Sequence, residues 1–93
     1  MAIQSFRDDD AEALYRTGKS RVFGNITKVA LRKLDMLGAA TDLKDLRSPP
    51  GNRLEGLVRD RVGQHSIRIN DQWRICFVWT PAGPKDVEIV DYH

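Results

Sequence analysis

The sequence is poor in the residues that anchor most small cofactor sites. It has one cysteine, Cys76, and two histidines, His65 and His93. A lone cysteine excludes an internal disulfide, and no Cys or His partner stands near it at metal-ligand spacing, so neither a structural zinc site nor a cofactor is expected. No apolar run approaches the roughly 20 residues that a membrane helix needs. The start, Met1-Ala2-Ile3-Gln4-Ser5-Phe6-Arg7 before Asp8-Asp9-Asp10, lacks both the basic and the apolar region of a secretion signal, so a cytoplasmic protein with no membrane partner is expected. Gly-rich phosphate loops and nucleophile elbows are absent as well. What remains is 93 residues, 41% hydrophobic and 30% charged, which fits one compact domain over residues 1–93 and does not fit disorder.

Charge of one sign is scarce only in total. The formal net charge is +2, too small to identify a nucleic-acid binder. By segment the picture changes. Residues 1–14 carry −3; residues 15–33 carry Arg16, Lys19, Arg21, Lys28, Arg32 and Lys33 with no acid; residues 44–75 carry +3. Clustered bases of this kind make a local field suited to phosphates or to an acidic protein, the alternative being a solvated helix face without a partner.

The first half reads as helical. Ile3–Phe6 alternates as a short first strand, and Asp9 and Glu12 stand at capping-box spacing before a helix that Gly18 should end in a left-handed cap. Asn25 is placed to cap a second helix. Its Ile26, Val29, Ala30, Leu34 and Leu37 form one apolar stripe, with Lys28, Arg32 and Asp35 opposite, and Gly38 suits its stop. Thr41 or Asp42 can cap one further turn carrying Leu43 and Leu46, and Pro49-Pro50-Gly51 should break all helix.

From Arg53 onward the period changes to two. His65, Ile67 and Ile69 share one side of a strand, and Trp73, Ile75, Phe77 and Trp79 share one side of the next. A two-residue loop between them would set Ile69 against Arg74. A three-residue loop, Asn70-Asp71-Gln72, pairs Ile69 with Trp73, Ile67 with Ile75 and His65 with Phe77, keeping one face apolar. That register makes Arg68 and Arg74 neighbours on the polar face, a repulsive pair unless water or an anion intervenes. Thr80–Pro84 turns the chain and Lys85–Val90 is a last strand. The order β-α-α-β-β-β-β is that of an α+β domain whose two helices cover one face of a mainly antiparallel sheet and leave the other free.

Few residues could carry chemistry. Glu55, Arg68, Arg74 and the closing Asp91-Tyr92-His93 together hold what RNA cleavage without a metal requires: a base for the 2′-hydroxyl, cations for the phosphorane, and an acid for the leaving 5′-oxygen. Each has a plainer reading. Glu55 could be a solvated strand residue, His93 a frayed terminus, Arg74 the partner of Glu88 or Asp91 in a structural ion pair, Tyr92 a packing residue, and His65 a satisfied core histidine.

Three segments carry a resemblance. Asn52-Arg53-Leu54-Glu55, the hairpin Gly63–Phe77 and Val87-Glu88-Ile89-Val90-Asp91-Tyr92-His93 resemble HigB-type toxins of the RelE/ParE superfamily, and the similarity extends through Arg47–Gly51 to the helical half. The resemblance implies a RelE-like fold and a bacterial type II toxin that cuts messenger RNA in the A site of the 30S ribosomal subunit. It also implies a HigA-like helix-turn-helix antitoxin, through which alone the pair would reach operator DNA. By position, Arg74 matches the family's phosphate-binding arginine, and Asp91, Tyr92 and His93 match its terminal catalytic cluster.

The match departs from the pattern before the hairpin, where HigB toxins that cleave well carry a histidine and a lysine and this sequence has Glu55 and Val58. Either Glu55 is the general base, as a glutamate is in the related YoeB toxins, or the enzyme is slow, with Arg53, Arg59 or Arg61 partly replacing the lysine's charge. The RNA-binding candidates are accordingly Arg53, Arg59, Arg61, Arg68, Lys28 and Arg32. A weakly catalytic or non-catalytic binding module of the same fold is the other reading, since the ParE-like members of the superfamily act on DNA gyrase.

Overall fold

The computed structural model describes residues 2–91, so Tyr92 and His93 lie outside the described residues. The first helix, α1, spans Asp9–Thr17. Its cap is Asp8 rather than Asp9: Asp8 is extended and its carboxylate accepts from the Asp10 N–H at 3.0 Å. A run of three aspartates allows either reading, and the first one free of helical geometry takes the role. At the other end Gly18 adopts φ 75° and donates to the Leu14 carbonyl at 2.8 Å, the expected left-handed cap.

The second helix, α2, spans Thr27–Ala39 and follows a 3-10 turn at Gly24–Ile26. Asn25 therefore lies inside that turn and caps nothing. The residue at the cap position is Ile26, with no side-chain bond. The apolar stripe is as expected, with Ile26, Ala30, Leu34 and Leu37 buried and Val29 packed at the edge of the core. Lys28, Arg32 and Asp35 are exposed. Gly38 does not end the helix. It sits one residue inside it, where an added Cβ would lie 2.6 Å from the Tyr15 hydroxyl. Its role is close packing of α2 on the ring of α1.

Asp42 caps the next turn, Leu43–Arg47, in a capping box with Asp45, and Leu46 points into the core. Pro49-Pro50-Gly51 does exclude α-helix, yet Pro50–Asn52 forms one more 3-10 turn. That turn delivers Asn52, fully buried, between the elements. Its Nδ2 donates to the carbonyls of Leu46 and Ser48 at 3.1 and 3.3 Å, and its Oδ1 accepts from Lys33 Nζ.

The sheet has four antiparallel strands in sequence order: β1 Glu55–Gly56, β2 His65–Arg68, β3 Trp73–Thr80 and β4 Gly83–Asp91. The β2–β3 register is the expected one, His65 with Phe77, Ile67 with Ile75 and Arg68 with Arg74. Asn70 stabilises the turn by accepting from the N–H groups of Gln72 and Trp73 through its side chain. β4 begins earlier than its apolar residues suggest, because Gly83 and Pro84 already pair with Thr80 and Trp79. A bulge between Cys76 and Val78 interrupts this pair, and Asp86, at φ 52°, lies on the strand opposite.

Ile3–Phe6 is not a strand of the sheet. It runs beside β4 with a single parallel bridge, Phe6 to Val87, and bonds from Gln4 to Pro84 and Arg7 to Val87. Four residues with two polar side chains offer too little apolar pairing to extend the ladder. The helices cover the face carrying Ile67, Ile75 and Phe77, all fully buried together with Leu14, Leu34, Leu37 and Leu46. The opposite face is not free as expected: Ser66, Arg74 and Cys76 are buried there.

Candidate functional site

β1 is only two residues long and both are exposed, yet it determines the site. Arg53, with φ 46°, ends the Pro50–Asn52 turn in left-handed geometry and sends the chain back antiparallel to β2. Glu55 then lies opposite Ser66, on the face that bears Arg74.

Arg74 is 9% exposed and is held from three directions. Its Nε donates to Ser66 Oγ at 2.8 Å, its Nη2 donates to the Arg53 carbonyl at 2.7 Å, and Nη2 stands 3.3 Å from Glu55 Oε1. Burial of a guanidinium is tolerable when its donors are paired in this way. The ion pair is thus with Glu55 and not with Glu88, which Arg61 occupies at 2.7 Å. Glu55 keeps half its side chain in solvent. The pair joins a fixed cation to a carboxylate that a ligand can reach.

Asp91, exposed, stands opposite Trp73 at the end of β4 and accepts from Gln72 Nε2 at 3.0 Å. The neighbouring register position pairs Val90 with Arg74. The expected roles of Tyr92 and His93 fall outside the described residues.

The candidate RNA-binding cations are distributed unevenly. Arg53 and Arg59 are exposed, Arg59 at φ 62° in the 3-10 turn Arg59–Arg61 between β1 and β2. Val58, where the resemblance leads one to expect lysine, is 70% exposed on that loop. Arg61 donates to Glu88 at 2.7 Å, and that bond raises its pKa above the ordinary arginine value. Arg68 pairs with Asp71 across the turn, which relieves its repulsion with Arg74 without an anion. Arg32 and Arg68 together act on Lys33, whose pKa is lowered first by burial and then by those two charges. Lys28 stands one turn before Arg32 on the exposed face of α2.

Around the edge of β1 lies a cleft of about 360 Å³, lined by Leu43, Lys44, Arg47, Leu54, Gly56 and His65 and by two acids, Asp42 and Glu55. His65 is therefore not the satisfied core residue expected. Its ring stacks on Phe77 at 6.3 Å, and its Nδ1 is buried without a hydrogen-bond partner among the described residues. No signal in the sequence distinguishes such a histidine from a bonded one. Ser66 was readable: it shares the polar face with Arg74 one register step away, where cross-strand diagonals meet.

Among the described residues no group of three or more His, Cys, Asp or Glu could hold a metal ion, and no helix is long and apolar enough to cross a membrane. Two helices on a four-stranded antiparallel sheet, with a buried arginine facing a glutamate, define a RelE-like toxin fold. The chain superposes on a YoeB/ParE toxin from Agrobacterium tumefaciens with a TM-score of 0.56, covering 100% of both chains at 18% identity, a likeness of fold alone. Residues 4–93 match the family described as the RelE-like toxin of the type II toxin-antitoxin system HigB. Toxin HigB-1 of Vibrio cholerae serotype O1 is 41% identical over 81 residues, 85% of this chain and 84% of that one. An uncharacterized protein of Haemophilus influenzae is 42% identical over 76 residues, 80% of this chain and 75% of its own. The chain belongs to the HigB-like toxins of type II toxin-antitoxin systems, a family that implies a cognate antitoxin as partner.

Proposed function

We propose that this toxin is a ribosome-dependent endoribonuclease that cuts translated messenger RNA in the 30S A site and is silenced by a HigA-like helix-turn-helix antitoxin. The observation that carries the reading is the Arg74–Glu55 pair, a guanidinium anchored by Ser66 and the Arg53 carbonyl beside a half-exposed carboxylate. Glu55 takes the proton of the ribose 2′-hydroxyl as that oxygen attacks the adjacent phosphorus. Arg74, already oriented, neutralises the extra charge on the phosphorane without reorganising. The O5′ leaves with a proton from His93, and Asp91 and Tyr92 complete the terminal cluster. The products are a 2′,3′-cyclic phosphate and a free 5′-hydroxyl, and the proton taken by Glu55 balances the one given by His93.

A second reading has an observation of its own. The contacts of Arg74 with Ser66 and the Arg53 carbonyl are internal, as in a structural arginine, and a binding module that acts through its antitoxin or another macromolecule would need nothing more. Glu55→Gln separates the two, since an exposed neutral isostere leaves the fold intact. Induced in cells without antitoxin, the wild type is expected to arrest growth. Glu55→Gln and His93→Ala are expected to relieve the arrest, with cleavage lowered about 10²- to 10⁴-fold and the melting temperature unchanged. Full toxicity of both variants would favour the binding module.

A further inference from the structure

The cleft at the edge of β1 is a second concave surface that shares Glu55 with the Arg74 pair. Its lining includes the apolar Leu43 and Leu54, the His65 imidazole and two exposed cations, Lys44 and Arg47. Neither cation has an ion pair among the described residues, while Arg16, Arg61, Arg68 and Arg74 all do. Both come from one 3-10 turn, Leu43–Arg47, in which residues three apart lie one above the other. Of the two acids in the lining, Asp42 is occupied in capping the Lys44 N–H and Glu55 faces Arg74.

Gly56 makes the space. It pairs directly with His65, and a Cβ built on it would come within 3.8 Å of His65 Nε2, an ordinary contact. The absent side chain exposes that edge of the ring. His65 Nδ1 is buried without a hydrogen-bond partner among the described residues, and Nε2 is the ring nitrogen on the Gly56 side.

We propose that this cleft is a nucleotide subsite for single-stranded RNA, receiving the base next to the scissile phosphate. The base packs between Leu43 and Leu54 and presents a polar edge to His65 Nε2, and the flanking phosphates lie against Lys44 and Arg47. Glu55 borders both the cleft and the Arg74 face, so a strand bent over β1 spans the two. The assignment rests on the ribonuclease reading, but its test does not depend on cleavage.

The probe is a fluorescein-labelled single-stranded 2′-O-methyl RNA hexamer, which cannot be cut because the attacking hydroxyl is blocked. Its binding to the full chain is followed by anisotropy across a salt series. Gly56→Ala, whose Cβ meets only ordinary contacts, is expected to bind close to wild type. Gly56→Val fills the cleft and is expected to weaken binding roughly five- to hundredfold, the range for losing one stacked base, with the salt slope unchanged. Lys44→Gln with Arg47→Gln is expected to reduce the slope of log affinity against log salt by about 1.4, at roughly 0.7 per phosphate on a single strand. Equal melting temperatures confirm folding. The subsite is overturned if the wild type fails to bind the hexamer, or if Gly56→Val and the Lys44→Gln, Arg47→Gln variant both bind it like wild type, whether or not they lose the antitoxin. Cleavage by the wild type together with any of these results would leave the Arg74–Glu55 reading standing alone.

Discussion

At the scale of single residues, Asn52 shows how much one buried polar group can organise. Its amide joins the carbonyls of Leu46 and Ser48 to Lys33 on α2, and so fixes the turn from which β1 departs. Asn52→Ala removes the donor and strands two carbonyls and an ammonium. The expected cost is about 1–3 kcal/mol, measurable by urea denaturation, and a change under a few tenths would contradict the role. Cys76 illustrates a different consequence of burial. Fully buried, its thiol has a pKa pushed up, chiefly by desolvation. Alkylation of the native protein at pH 8 is expected to be slow and to become fast only on unfolding, because the thiolate is the reacting form. Rapid labelling of folded protein would show that β3 opens locally.

At the scale of elements, the turn Leu43–Arg47 carries both a cap and the rim of the cleft. The Asp45 carboxylate accepts from the Thr41 N–H, the Thr41 hydroxyl and the Asp42 N–H, and these bonds, the Thr41 N–H foremost, hold its pKa below the ordinary aspartate value. A depressed folded value means that the stabilisation is present above the unfolded carboxylate's pKa, about 3.9, and is lost as pH falls through the folded one. NMR titration of the Asp45 carboxyl is expected to give a midpoint below that reference, and a midpoint at or above it would remove the capping box from the account. Packing of α1 on α2 is tested at Gly38. An exposed helical glycine changed to alanine gains about 1 kcal/mol. Here the new methyl meets the Tyr15 hydroxyl at 2.6 Å, so Gly38→Ala is expected to fall short of that gain, and the full gain in a melting experiment would contradict the contact.

Elements were also where the sequence was most legible. A helical stripe and a hairpin register follow from periodicity, because burying one face allows only one alignment, and Ile67 with Ile75 was recoverable on that ground. The caps were less so: Asp8, Asp9 and Asp10 are chemically alike, and only backbone geometry selects Asp8. Ile3–Phe6 alternates as a strand does, but pairing depends on what lies beside it, and β4 offers that segment one bridge. Of the structural partners open to Arg74, Glu88 is taken by Arg61. Glu55 reaches Arg74 through the left-handed turn at Arg53, which no spacing rule announces.

At the scale of the whole molecule, the small net charge conceals a directed field. Acids gather at the N-terminal helix, where Asp9, Asp10 and Glu12 favour its positive end. Bases gather along α2, the Leu43–Arg47 turn and the β1–β2 loop. Part of this charge is spent internally, in Arg61 with Glu88 and Arg68 with Asp71. The candidate RNA-binding bases Lys28, Arg32, Arg53 and Arg59, and with them Lys44 and Arg47, are exposed on a chain about 30 Å across. Exposed bases of this kind attract phosphate-rich partners.

The most direct test is primer extension on a defined messenger RNA incubated with purified toxin, with and without 70S ribosomes halted at a known codon. The expected result is a new 5′ end within the A-site codon, present only when ribosomes are bound and absent with Glu55→Gln. Cuts in naked RNA at the same positions, or no cuts at all with wild-type toxin on halted ribosomes, would contradict the account.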